Sequence, residues 1–192
     1  MSVVDQRVGV DEDEAGSDVT ITEERVSTDN ENGSVGVAIL RITLGVIILA
    51  TWFSNITSDP NFYSAEGLRG FFDWVFDEEN GNGASLTFIG SLFDAIDDAG
   101  LLGAVGFAQI IGEFLIGAAL VAGVFTRFFS ALAFAFFTGL FLTYFGGEEW
   151  IFTYVILMAS AVTTFLSWGG RKLGVDQTIA ASRGDSPGKL LW

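Results

Sequence analysis

Two polar residues stand four apart in an otherwise apolar run, "AQIIGEFLIGAAL" (108–120): Gln109 and Glu113. At helical spacing they share one face. A carboxyl group at the centre of a bilayer costs roughly 2.5–3.5 kcal/mol on insertion scales. Glu113 must therefore face a bundle interior, where it is protonated, paired or hydrogen-bonded. A carboxyl and a carboxamide on one face suit a quinone. Glu113 would supply a proton to a ring carbonyl, and Gln109 would donate a hydrogen bond. The same pair equally suits proton-coupled transport of a small solute. In a third reading Glu113 only fixes helix register, within a non-catalytic assembly scaffold. Arg41, on the preceding apolar segment, is the expected counter-charge, and Arg127 is a second candidate near the membrane boundary. The candidate catalytic pair is thus Glu113 with Arg41. The candidate cofactor-binding residues are Gln109, Glu113, Trp52 and Tyr144, with Phe107 and Phe114 as further wall.

These residues need elements to hold them. Of 192 residues, 50% are hydrophobic and mean hydropathy is +0.48, yet the formal net charge is −15. The two facts coexist because acids crowd into 1–33 and 59–98, with apolar blocks between and after. That segregation is expected of a membrane protein with solvated flanks. Four segments approach the roughly 20 apolar residues that a crossing needs: about Val35–Asn55, Leu101–Phe125, Arg127–Phe145 and Trp150–Trp168. The short connections between the last three make neighbours antiparallel. Eight of the nine basic residues fall on one side if both termini are cytoplasmic, leaving Arg69 alone opposite. The predicted fold is an all-α, four-transmembrane-helix bundle in the cell membrane, N-in and C-in.

The segment 57–98 carries two short apolar stripes. Leu68, Phe71, Phe72 and Val75 form one, and Ile89, Leu92, Phe93 and Ile96 the other. Both have helical period. They predict an external amphipathic hairpin that caps the bundle or lies on the outer membrane surface, turning at Asp77–Gly83. Small residues spaced by four, Ala131, Ala135, Gly139 and Thr143, and again Ala104, Ala108 and Gly112, predict close helix contacts. They leave a homo-oligomer open. Residues 1–33 read as a disordered acidic tail and 177–192 as a cytoplasmic C-terminal tail, which bounds the membrane domain at 34–176. Acidity with few lysines fits a halophilic source.

The chain has no Cys and no His. That excludes His- or Cys-ligated haem, Fe–S clusters and zinc, and no metal ligand set is visible. The acidic balance argues against nucleic acid.

Three stretches in order carry a resemblance: "RITLGVIIL" (41–49), "GEFLIGAALVAGVFTR" (112–127) and "WGGRKLGVD" (168–176). With four helices, they resemble the DoxX/DoxD-like membrane proteins over about residues 35–176. The long insertion after the first helix is similar to the DoxD end of the group, associated with the small subunit of thiosulfate:quinone oxidoreductase. The resemblance implies a compact four-helix bundle that partners another membrane or redox subunit. It also implies quinone as the cofactor, with Glu113, Arg41 and Arg127 at the family's recurring polar positions. No thiosulfate-handling equipment is visible in this chain, because Arg69 is the only external cation.

Overall fold

The computed structural model describes residues 35–79, 81–84, 86–148, 150–167, 170 and 173–183. The expected N-terminal tail therefore lies outside the described residues, as do 184–192. Seven helices make up the described chain. They are α1 (Val35–Ile56), α2 (Ala65–Phe76), α3 (Thr87–Asp98), α4 (Leu102–Ala122), α5 (Thr126–Tyr144), α6 (Phe152–Leu166) and α7 (Val175–Arg183). Three of them, α1, α4 and α5, are long and apolar enough to cross a membrane. α6 is apolar but has only 15 residues. The fold is an all-α, multi-pass membrane-type bundle.

The apolar helices bury narrow seams and expose much of their carbon. Leu44, Ile48, Ile116, Leu120, Ala133, Phe137 and Ala161 form the core. Ile39, Phe53, Phe107, Ile156 and Leu166 point outward, each more than half exposed. A soluble protein would hide such residues, whereas a bilayer solvates them at no cost. α1 meets α4 where Gly45 faces Gly117. A methyl group on Gly45 would lie 2.8 Å from the Gly117 carbonyl oxygen, so both glycines are needed for this approach.

The helix contacts differ from those expected of the small-residue stripes. On α4, Ala104 and Ala108 are exposed and Gly112 has open space beside it. The real close approaches on that helix are at Gly106 and Gly117. The spacing of four was correct for a helix face, but that face looks away from the chain's own helices.

Both ends of the bundle are stitched by polar contacts. At one end the start of α1, the α4–α5 turn and the segment after α6 meet around Arg41, Gly123 and Asp176. At the other end α2 packs on α4, and in the segment between α2 and α3 the Asn82 carbonyl accepts from the Glu148 amide at 2.9 Å. α2 begins cleanly, because Ser64 accepts from the Gly67 amide at 2.9 Å as its N-cap. Its stripe lands as expected: Leu68 and Val75 are buried, and Phe71 and Phe72 half-buried. α3 buries no residue completely, and Phe88 and Leu92 on it are more than half exposed. An amphipathic helix left in that state suits a membrane surface.

After α6 the chain forms α7, and Asp176 in its first turn is buried.

Candidate functional site

Glu113 lies near the middle of α4 and is 2% exposed. Gln109 Nε2 donates to its Oε1 at 2.8 Å, the i, i+4 contact that the sequence spacing anticipates. Its other oxygen has an unanticipated partner. Tyr63 Oη donates to Glu113 Oε2 at 2.6 Å, and Asn55 Nδ2 lies 3.5 Å from the same phenol oxygen. Tyr63 sits on the connector between α1 and α2, inside a segment expected to be wholly external.

The connector reaches this depth because α4 has no side chain at Gly106. A Cβ there would collide with the Tyr63 carbonyl oxygen. The backbone of residue 63 thus lies directly on α4, two turns from Glu113, and the phenol spans the difference. Asn61 Oδ1 accepts from the Tyr63 amide at 2.9 Å and fixes the local turn. Burial, followed by the hydrogen bond to Glu113 and its charge, raises the Tyr63 phenol well above the ordinary tyrosine range. It therefore stays neutral and keeps its role as donor.

Arg41 is not the counter-charge. Gly45 packs on Gly117 and Trp52 on Phe114, the two rings 5.1 Å apart, so Trp52 is the α1 residue level with Glu113. Arg41 is eleven positions away along α1, about 16 Å at helical rise. It is fully buried at the opposite end, where Nη2 donates to the Leu173 carbonyl at 2.8 Å. Gly123 and Gly174 hold the guanidinium between them, and a Cβ on either would strike it. Gly123 also closes α4 with φ +68°, a left-handed conformation that glycine adopts without strain. Among the described residues, no ion pair involves Glu113.

Asp176 completes that far end. Its two oxygens accept from the amides of Phe125 and Thr126 at 2.8 and 2.9 Å, satisfying the first donors of α5. The Asp176 amide in turn donates to the Gly123 carbonyl at 2.9 Å. The aspartate of the "WGGRKLGVD" stretch is therefore a helix cap acting from fifty positions downstream.

A cavity of about 250 Å³ adjoins the Glu113 network. The α1–α2 connector, α2 and α3 supply Phe62, Phe71, Phe72 and Phe93, and α5 supplies Ala135, Phe136, Gly139 and Thr143. Gln109 lines it too, and its amide is the link between cavity and carboxyl. Gly139 has open space where a side chain would be. The small residues of α5 thus face a void and not a neighbouring helix.

The expected walls are elsewhere. Trp52 packs against Phe114, away from this lining, and its indole nitrogen is buried with no hydrogen-bond partner among the described residues. Phe107 is 66% exposed on the outside of α4. Tyr144 stacks on Tyr154 with ring centroids 5.6 Å apart and meets Phe71 at 5.9 Å, just behind the cavity wall.

Arg69 is committed as well. It forms an ion pair with Asp97, with Nε donating to Oδ2 at 2.7 Å, and ties α2 to α3. Its guanidinium hydrogen bond holds the Asp97 carboxyl below the usual range. No group of three or more potential metal ligands occurs among the described residues.

Comparison with protein families, with curated proteins and with solved structures gives no match. The functional reading therefore rests on this geometry and on the residue patterns above.

Proposed function

We propose that the chain is a four-crossing, DoxX/DoxD-like membrane subunit that engages quinone in the cavity beside Gln109 and Glu113. The observation that carries this reading is the junction itself. A buried carboxyl with no counter-ion among the described residues is joined through Gln109 to an aromatic-walled cavity.

The cavity fits the ligand class in part. Its volume is just below the usual range of about 300–1,000 Å³ for small-molecule pockets. It holds one substituted ring, so a prenyl tail must run out toward the lipid. Aromatic faces on the hairpin side and small residues on the α5 side leave a slot suited to a flat ring. Quinone, when bound, accepts two electrons and two protons, the electrons coming from a partner subunit. Gln109 orients the ring by hydrogen bonding. Glu113 does not itself line the cavity; it would take up and pass on one of the two protons once the Gln109 amide turns from its oxygen to the ring, the second proton coming from solvent, and Tyr63 keeps the carboxyl in place.

Both termini are placed in the cytoplasm, with the hairpin outside. Eight of nine basic residues then lie on the inner side. α6 makes the fourth crossing. Its 15 residues span about 22 Å, and the bilayer accommodates the deficit by local thinning. Trp150, 65% exposed just before it, marks the interface.

A second reading has its own support. Both Glu113 oxygens already have donors within the chain, as a purely structural acid would require. One experiment separates the two. Protein purified in native lipid is extracted and assayed for quinone, alongside Glu113→Gln and Gln109→Leu. Quinone in the wild type and its depletion in both variants, with folding kept, supports the quinone site. No quinone in any sample, with a lower melting temperature for Glu113→Gln, leaves Glu113 as a structural acid.

A further inference from the structure

A second concavity lies on the opposite side of α5 and has no polar surface to offer. Its volume is about 210 Å³, and its lining is Ser130, Ala131 and Phe134 of α5 with Ala161, Val162 and Phe165 of α6. Ser130 is wholly buried at the back, so its hydroxyl presents nothing to the groove. The rims are open to the surroundings, since Phe134 and Val162 are 41% and 39% exposed. On a helix long enough to cross a membrane, those surroundings are hydrocarbon.

The groove has a charged mouth. Arg127, the second residue of α5, places its guanidinium carbon 4.5 Å above the ring centroid of Phe165, itself a groove residue. Arg127, Ser130, Ala131 and Phe134 follow the i, i+3, i+4, i+7 pattern of one helix face. Arg127 and Phe134 are about 10 Å apart along the axis. A cation at the end of the helix, followed along one face by about 10 Å of apolar groove, has the order of a phospholipid: phosphate first, then chain. Quinone offers no anion to such a mouth, and a free phosphate offers no chain to such a groove.

We infer that this face is a binding site for one anionic phospholipid, with an acyl or prenyl chain in the α5–α6 groove and the phosphate on Arg127. The inference rests on the chain crossing a bilayer. It is independent of the quinone reading, because none of these residues lines the cavity at Gln109.

The full chain, reconstituted in discs holding equal phosphatidylglycerol and phosphatidylcholine, is released into native mass spectrometry. The wild type should retain one phosphatidylglycerol over phosphatidylcholine by about fivefold, the effect of one basic residue at the surface. Arg127→Gln should abolish that preference. Ala131→Phe, at an exposed position, should fill the groove and remove retention of both lipids while the melting temperature stays within a few degrees. Equal retention of the two lipids by the wild type would overturn the inference. So would a preference that survives Arg127→Gln, or retention unchanged in folded Ala131→Phe.

Discussion

Replacing Tyr63 by Phe removes one hydroxyl and keeps a ring that already packs edge-on against Phe62, at 5.6 Å between centroids. What is lost is a 2.6 Å hydrogen bond to a carboxyl group that is 2% exposed. In water-soluble proteins, a hydrogen bond to a charged group contributes about 1.5–3 kcal/mol. Within membranes measured values average about 0.6 and reach about 1.7 kcal/mol, because the unfolded chain finds other partners. Tyr63 is on a connector that returns to water on unfolding, while Glu113 stays in lipid and loses one of its two donors. The cost should therefore lie near the upper membrane value, about 1.5 kcal/mol, or roughly tenfold in the unfolding equilibrium. The assay is a double-mutant cycle on unfolding in lipid discs, with Glu113→Leu as the second change. Tyr63→Phe should be costly in the wild type and nearly free beside Leu. Equal costs in the two backgrounds, within about 0.5 kcal/mol, would refute the contact.

Three further outcomes are expected. Gly106→Ala drives a methyl into the Tyr63 carbonyl, so the connector must lift off α4. Stability should fall by about 1–3 kcal/mol, and hydrogen exchange at 61–64 should accelerate. Gly139→Leu points into open space, so it should leave the melting temperature nearly unchanged while blocking any ligand of the cavity, read by extraction of bound small molecules. The Arg69–Asp97 tie should depend on acid in one direction. Asp97 titrates below its unfolded value, so its contribution is complete above about pH 3.9 and is lost as pH falls through the lower, folded value. Trp74 fluorescence on α2 should report a loosening there that Asp97→Asn abolishes.

Much of this architecture is written in periodicity. The apolar runs predict α1, α4, α5 and α6 to within a few residues, and the stripe from Leu68 to Val75 predicts α2 and its buried face. Gln109 and Glu113 were legible as a pair because one helical turn joins them. Contacts between elements were not. Arg41 looked like a partner for Glu113 because it was the nearest cation in an apolar segment. Its hydrogen bond goes to the Leu173 carbonyl and the carboxylate that acts on it is Asp176, both reached only through the fold, and side-chain types carry no information about which carbonyl will be close. Tyr63 was hidden by a similar limit. Its connector reads as polar loop, and Gly106, seven residues before Glu113 but forty-three after Tyr63, is what allows the loop to descend. The α5 stripe shows the converse error, since small residues permit either a close helix or a void, and sequence alone does not distinguish them.

The knot at the Arg41 end has a consequence for biogenesis. The first amides of α5 are satisfied by Asp176, fifty and fifty-one positions later, and one nitrogen of the Arg41 guanidinium by a carbonyl 132 positions later. During synthesis α1, α4 and α5 therefore enter the membrane with a cation and a helix start still unmet. They wait for a segment that emerges only after α6. Insertion can proceed helix by helix, but closure of that end is reserved for the segment that follows α6. A chain that stops after α6 would keep every apolar helix it needs and still leave Arg41 and the start of α5 without their partners, which gives quality control a defect to recognise at the membrane boundary.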